Sequence, residues 1–538
     1  MNTGDPSRNL SAHDKEFFDL DDFEARIVDA YNGGHAPATL PADVVHGRSI
    51  IGPGSGRLRD FSYIAPEIPE FIAENCVGCM DCVTMCPDTA ILGKVVSNET
   101  LQNELEGLSS EEAAQMEILW PKVRKYWESR EKKGEEPGRF GIFIDPSKCK
   151  GCAECVDVCG SKDALKMISK EKMGLDEHRR LWDFYTSLGD TDPDFVNHRS
   201  VMDIMLLDKS LLYVGGAGSC AGCGEATALR MVAAVLGYDH GAENVGIVNS
   251  TGCSTVYGST YPYNPWNLPW TNSLFENGPT DAMGVRLRWD QIGWEDKKLW
   301  VVGGDGAMYD IGFGALSRML SSGMDIKVLV LDTQVYSNTG GQTSTASYTG
   351  QDAKFYSHGT AVAGKQEFRK ELGAIAAMHP NVYVAQTVTS LPSHFYRAVR
   401  EANAHQGPAV VSVYTTCQPE HGVGDHASYQ QSNIALRTRA WPIFVHDPAR
   451  GPRFQDRWDL KGNPSVNKDW HSMKDENGVR REMKFRDFAA SEGRFRKQFD
   501  ADGAPSDTLL RAEQDRLAFW NRLQDMAGIE RIISEETE

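Results

Sequence analysis

Twelve cysteines are spread over 538 residues, and eight of them stand in two runs of one spacing. The first run is Cys76-x2-Cys79-x2-Cys82-x3-Cys86, and the second is Cys149-x2-Cys152-x2-Cys155-x3-Cys159. Four thiolates at this spacing suit the corners of a cubane iron–sulfur cluster, because a tight loop presents three and the start of a following helix presents the fourth. Where two such runs occur together, the fourth cysteine of each serves the other cluster. The spacing therefore assigns Cys76, Cys79, Cys82 and Cys159 to one [4Fe–4S] cluster, and Cys149, Cys152, Cys155 and Cys86 to a second. A disulfide scaffold fits poorly, since Met1-Asn2-Thr3-Gly4-Asp5 has no basic start followed by an apolar run. Zinc closes with four ligands and leaves the third and fourth cysteine of each run unexplained. Gly160 follows Cys159 where Pro87 follows Cys86, which alters a turn and removes no ligand.

The other four cysteines are Cys220, Cys223, Cys253 and Cys417. Cys220-Ala221-Gly222-Cys223 is a lone C-x2-C pair, and Cys253 lies in Thr251-Gly252-Cys253-Ser254. From spacing alone these remain open among metal ligands, a redox dithiol and small buried hydrophobes.

From about residue 211 onward the pattern alternates between short apolar runs and helical stretches. Strand-like runs occur at 245–248, 299–302, 326–331, 382–384 and 409–414. Helix-like stretches occur at 228–236, 311–322, 367–378 and 393–404. Strands alternating with helices imply parallel βαβ units covered on both faces, hence a doubly wound α/β domain. In such sheets ligands bind outside the carboxyl ends of the strands. Gly303-Gly304-Asp305-Gly306-Ala307 follows one strand, and Asp332-Thr333-Gln334-Val335-Tyr336-Ser337-Asn338 follows the next. Glycines let backbone amides approach a phosphate, and Asp305 offers a hard oxygen to Mg2+. Two adjacent strand ends can thus clamp a metal–diphosphate unit, the bland alternative being two surface turns.

The stretch 303–347 resembles the thiamine diphosphate site of the pyruvate:ferredoxin (flavodoxin) oxidoreductase family, in which Gly-Asp-Gly is followed by a Thr-x-Val-Tyr-Ser-Asn loop. The resemblance covers about residues 60–530. It implies that Asp305, the Thr333 side chain and the Val335 carbonyl bind Mg2+. It implies that Gly304, Gly306, Ala307 and the loop Thr333, Gln334, Val335, Tyr336, Ser337 and Asn338 line the coenzyme, with Cys253 beside it. Asn338 would sit near the thiazolium and substrate, and Glu225, in the family motif Ala221-Gly222-Cys223-Gly224-Glu225, would touch the coenzyme; these two carry the catalytic roles. The same resemblance makes Cys220, Cys223, Cys253 and Cys417 ligands of a third [4Fe–4S] cluster next to the thiamine. The implied reaction is oxidative decarboxylation of a 2-oxoacid, with coenzyme A taking the acyl group and electrons passing through three clusters to ferredoxin or flavodoxin. The wording of the Tyr336–Gln342 loop is the pyruvate-type version. In the family an upstream domain supplies a glutamate and the residues that grip the substrate carboxylate. Residues 1–60 cannot be that domain, so a β-type subunit completed by a separate α-type chain, and hence a hetero-oligomer, is expected. Alternatives are the same chemistry on another 2-oxoacid such as 2-oxoglutarate, an electron-transfer subunit with a non-catalytic α/β scaffold, and a non-oxidative thiamine decarboxylase.

The sequence divides into an N-terminal arm (1–65), a small α+β ferredoxin-like domain (66–200) with a solvated helical insertion (98–138), the α/β thiamine diphosphate domain (205–435), and a C-terminal arm ending in a helix near 507–526 (436–538), in which the strand pattern is lost. Composition is that of a globular chain, 41% hydrophobic and 24% charged. The net charge of −19 disfavours nucleic acid and anionic membranes as partners. The lack of a leader and of a long apolar run predicts a cytoplasmic protein. His240, His358, His421 and His426 read as structural or surface groups.

Overall fold

The computed structural model describes residues 19–39, 51–356, 362, 364–474 and 478–532. By proximity the chain forms two compact units. One comprises 1–222, 229–245 and 256–269, and the other 223–228, 246–255 and 270–538.

In the first unit, four strands form two antiparallel ladders. β1 (Glu67–Phe71) pairs with β4 (Leu165–Ser169), and β2 (Ile91–Ser97) with β3 (Gly138–Ile144). Between the strands of each half runs a cysteine loop and a short helix, Asp81–Met85 or Glu154–Cys159. The two loops repeat one backbone device. Gly78 and Gly151 have φ near +70°, and Met80 and Ala153, just before each helix, have φ of 67° and 65°. Left-handed residues at alternate positions curl the loop so that successive cysteines face one centre.

The insertion is more than a solvated face. Ser97 and Ser109 cap the helices Asn98–Leu105 and Ser110–Ile118, the second through a full capping box with Glu112. Its Trp120, Val123 and Tyr126 are buried. A Cβ on Gly78 would meet Val123 at 3.0 Å and Tyr126 at 3.2 Å, so the insertion covers the first cysteine loop. In the N-terminal arm, Phe23, Ile27 and Val28 pack on Leu58, Tyr261 and Tyr263; the remainder of that arm lies outside the described residues.

The second unit is built on an eight-stranded sheet. In chain order its strands are β5 (Val245–Ser250), β6 (Trp270–Ser273), β7 (Lys298–Gly304), β8 (Ile326–Asp332), β9 (Tyr383–Val388), β10 (Ala409–Tyr414), β11 (Phe444–His446) and β12 (Trp458–Asp459). Across the sheet they run β12-β11-β9-β10-β8-β7-β5-β6. The pairs β5·β6, β7·β8, β8·β10 and β10·β9 are parallel, while β11 and β12 add an antiparallel edge. Every residue of β8 and β10 is buried, as a parallel sheet covered on both faces requires.

The strands β11 and β12 correct the expectation that strand structure ends before residue 440. They are two or three residues long and lack a periodic signal, so only pairing, of β11 with β9 and of β12 with β11, makes them strands. The C-terminal segment is likewise no loose arm. Phe485, Phe488, Phe495 and Leu509 form one core with Val388, Tyr414, Trp441 and Trp470, and the final helix spans Asp507–Met526.

Candidate functional site

Strand register brings the chemistry together in the second unit. Gly304 is the partner of Leu331 in the β7·β8 ladder, so Asp305 and Thr333 leave adjacent strands side by side. Asp332 pairs with Tyr414 in the β8·β10 ladder, so the turn carrying Cys417 leaves next to Thr333. The loop after β5, adjacent to β7, carries Cys253. Four loops therefore meet at one carboxyl edge of a parallel sheet.

They form an open cleft lined by Glu225, Thr251, Gly252, Cys253, Phe275, Gly304, Asp305, Gly306, Ala307, Thr333, Val335, Tyr336, Ser337, Asn338 and Thr339. Of the residues expected to line the coenzyme, Gln334 alone is missing. Its backbone is left-handed (φ 57°), and its buried side chain turns back to donate to Asp332 and to accept from Arg494. Gly306 is needed for close approach, since a Cβ there would lie 2.3 Å from the Tyr336 ring. The segment Gly306–Ile311 is a π-helical turn, a wide turn of the kind often found at functional sites.

The Asp305, Thr333 and Val335 oxygens fit a small hard cation. Thr333 Oγ1 lies 3.1 Å from Asp305 Oδ1 and 3.2 Å from the Val335 carbonyl. Oxygens about 2.1 Å from one octahedral Mg2+ stand about 3 Å apart along each edge. Burial and the neighbouring Asp332 carboxylate push the Asp305 carboxyl well up, so a bound cation is what would keep it ionised. Ser344 donates to its second oxygen at 2.6 Å.

A hydrogen-bonded line runs from these oxygens to Cys417. Thr333 Oγ1 and Ser337 Oγ are 2.6 Å apart. The Ser337 hydroxyl and the Glu420 amide both donate to Cys417, whose thiol burial pushes up to about 12. Glu225 is also close enough to Cys417 to act on its charge. Cys223 lies at the start of the helix Gly224–His240; a Cβ on Gly224 would meet the Thr416 amide at 2.5 Å, so Cys223 and Cys417 flank one tight backbone contact. Cys220 is exposed and belongs to the first unit.

Behind the loop stands a buried network that local sequence signals do not reveal. Arg494 donates to the Thr333 carbonyl (3.3 Å), to Gln334 Oε1 (2.9 Å) and to Glu492 (2.6 Å). The His421 Nε2 is 2.8 Å from the same Thr333 carbonyl, and Tyr414 donates to Glu492 at 2.8 Å. On the other side Arg369 pairs with Asp332 at 2.6 Å, and Tyr309 donates to the same carboxylate at 2.5 Å. Arg494→Met removes the prop from the back of the Thr333 carbonyl. It should weaken coenzyme binding in the presence of Mg2+ by about 10–100-fold, the usual range for a partner that orients a ligand. Isothermal titration with thiamine diphosphate measures it. His240 ends the helix at 224–240, His426 is exposed, and His358 lies outside the described residues.

In the first unit the cysteines form two sets. Cys76, Cys79, Cys82 and Cys159 line one pocket, with Phe71, Phe140 and Ile142 as walls. Cys86, Cys149, Cys152 and Cys155 line another, with Pro69, Ile91 and Ile144. The fourth cysteine of each run thus faces the first three of the other. Among the described residues no three His, Cys, Asp or Glu side chains are placed to hold a single ion; the thiols line two shared spaces instead. Backbone amides of Gly78, Asp81, Gly151 and Glu154 point at Cys76, Cys79, Cys149 and Cys152. Burial pushes Cys76 up to about 11 and Cys149 up to about 12, so each gives up a proton when it binds iron.

A 4Fe-4S dicluster domain matches residues 75–162, and a thiamine pyrophosphate enzyme C-terminal TPP binding domain matches 250–413. The chain therefore joins a dicluster ferredoxin-like domain to a thiamine diphosphate-binding α/β domain. It is a homologue of the pyruvate-flavodoxin oxidoreductases over most of its length. It is similar to the probable pyruvate-flavodoxin oxidoreductase of Escherichia coli, 30% identical over 459 residues, which are 72% of this chain and 36% of that protein. The Rhodospirillum rubrum pyruvate-flavodoxin oxidoreductase is 27% identical over 87% of this chain and 42% of its own length. The Moorella thermoacetica pyruvate:ferredoxin oxidoreductase is 28% identical over 72% of this chain and 37% of its own. The chain thus spans about two fifths of these relatives. Their additional length is in the same polypeptide, so the expected separate α-type chain finds no support in them. Among the described residues no helix is long and apolar enough to cross a membrane.

Proposed function

We propose that this chain is the coenzyme- and cluster-bearing part of a cytoplasmic 2-oxoacid oxidoreductase whose substrate is pyruvate. The reading rests on one observation: the oxygens of Asp305, Thr333 and Val335 share a hydrogen-bonded line with Cys417 at a single sheet edge. Bound thiamine diphosphate supplies an electron sink that lets a 2-oxoacid lose carbon dioxide. This chain's residues do the positioning. Asp305, Thr333 and the Val335 carbonyl hold Mg2+ and, through it, the diphosphate. Glu225 is buried on the cavity wall and orients the coenzyme, while the exposed Asn338 faces the substrate. Cys220, Cys223, Cys253 and Cys417 would be the ligands of a third cluster. The clusters would supply one-electron carriers toward ferredoxin or flavodoxin, with coenzyme A as the acyl acceptor. The cluster of Cys76 and Cys79 is the outlet, because both cysteines are partly exposed and Val77 is 52% exposed.

Anaerobic reduction of a viologen dye by the purified holoprotein tests this. Pyruvate with coenzyme A should drive it, and 2-oxoglutarate should not. Thiamine bound without dye reduction by any 2-oxoacid would favour a non-catalytic scaffold instead. A Cys253→Ser chain should bind thiamine and retain the two dicluster centres while losing rapid dye reduction.

A further inference from the structure

The two cysteine runs are near copies, with the same spacing and the same left-handed loop, so their own ligands give two clusters little reason to differ in potential. What differs is the charge packed behind them. Arg230 lies on the helix Gly224–His240 and is 3% exposed. Its Nε donates to Thr89 Oγ1 at 3.1 Å, and its Nη1 donates to the Val83 carbonyl and, at 3.5 Å, to that of Thr84. These partners are neutral. The Nη2 is buried with no hydrogen-bond partner among the described residues. Val83 and Thr84 belong to the short helix that carries Cys82 and runs up to Cys86, and the thiol whose charge acts most on the guanidinium is Cys86, with Asp88 and then Cys82 acting less. The neighbouring carboxylate, Asp88, is already bound to Lys150 at 2.6 Å, both being 5% exposed or less at the side chain. Lys150 also donates to the Ala217 and Ser219 carbonyls. The charged residues lining the first void are Lys162 and Asp81, a pair 2.8 Å apart and 31% exposed on each side, where water screens it.

We propose that Arg230 is a redox-tuning residue: its buried cation, hydrogen-bonded only to neutral groups among the described residues, raises the reduction potential of the cluster on Cys86, Cys149, Cys152 and Cys155 more than that of its twin. A positive charge in a dry interior favours the reduced, more negative state of a nearby cluster. An otherwise symmetrical pair thereby gains an order in which it fills. Asp88 works the other way, since its carboxylate partly offsets the cations around the same cluster.

The inference rests on the two-cluster reading given above, and potentiometric titration followed by electron paramagnetic resonance separates the two. Wild-type protein lacking two dicluster signals would sink the two-cluster reading itself. Given both signals, Arg230→Gln keeps donors for the Val83 and Thr84 carbonyls and removes the charge. It should lower the reduced-to-oxidised ratio of one cluster by about tenfold or more at fixed potential, about 59 mV for one electron, and move the other less. Arg230→Lys, which keeps the charge, should stay close to wild type, and Asp88→Asn should shift the same cluster upward. If Arg230→Gln does not assemble, Arg230→Lys and Asp88→Asn carry the test. The proposal is overturned if Arg230→Gln assembles with unmoved potentials, if Arg230→Lys shifts as far as Arg230→Gln or fails to assemble, or if Asp88→Asn moves the potential down or not at all.

Discussion

Asp305→Asn should leave a folded chain that holds its clusters and no longer retains thiamine diphosphate at ordinary Mg2+ concentrations. The carboxylate is 1% exposed. It accepts from Ser344 at 2.6 Å and from Thr333 at 3.1 Å, which fixes its orientation toward the loop. The amide is nearly isosteric and keeps one oxygen, but it carries no charge to set against a divalent ion. Residues that merely orient a metal ligand change affinity by about 10–100-fold, so loss of the one charged ligand should cost at least about a hundredfold. Titrating thiamine diphosphate against increasing Mg2+ measures it. Retained coenzyme in this variant would show that the oxygens of Asp305, Thr333 and Val335 are not the metal site.

Cys86→Ser should destroy the cluster on Cys149, Cys152 and Cys155 and spare the one on its own run. Simple proximity in sequence predicts the opposite. The voids decide the matter, since Cys86 lines the cavity of the second run and Cys159 that of the first. Iron should fall from about twelve to about eight per chain, as one four-iron cluster of three is lost. Cys159→Ser should lose the same amount of iron and a different magnetic signal. Two variants with identical residual spectra would rule out the crossed arrangement.

Much of the site was legible because its signals are local. The spacing of eight cysteines, the glycines around Asp305 and the polar loop at 333–338 each announce themselves within a dozen residues. The alternation of apolar runs and helices marked β7, β8 and β10 to within one or two residues, because strands buried on both faces read as nearly continuous apolar runs. Other features have no local signature. The insertion reads as polar and solvated, yet Trp120, Val123 and Tyr126 are buried, and Val123 and Tyr126 pack on Gly78. Strand β12 is two residues long, too short for any period. Gln334 belongs to the loop motif and still faces away from the cavity, because Arg494, 160 residues later, draws its side chain back.

The amino-acid sequence by itself determined which atoms are available for chemistry: eight thiols in two sets whose spacing suits cubane clusters, and an acid–threonine pair at two strand ends. Only the tertiary structure decided which of those atoms meet. Parallel register set Asp305 beside Thr333 and both beside the Cys417 turn, and packing of distant segments put Arg494 and His421 behind the loop and Arg230 behind Cys86. The reason is physical: spacing and periodicity act over one turn or one loop, whereas register and the burial of charge are settled by contacts between segments that lie far apart along the chain.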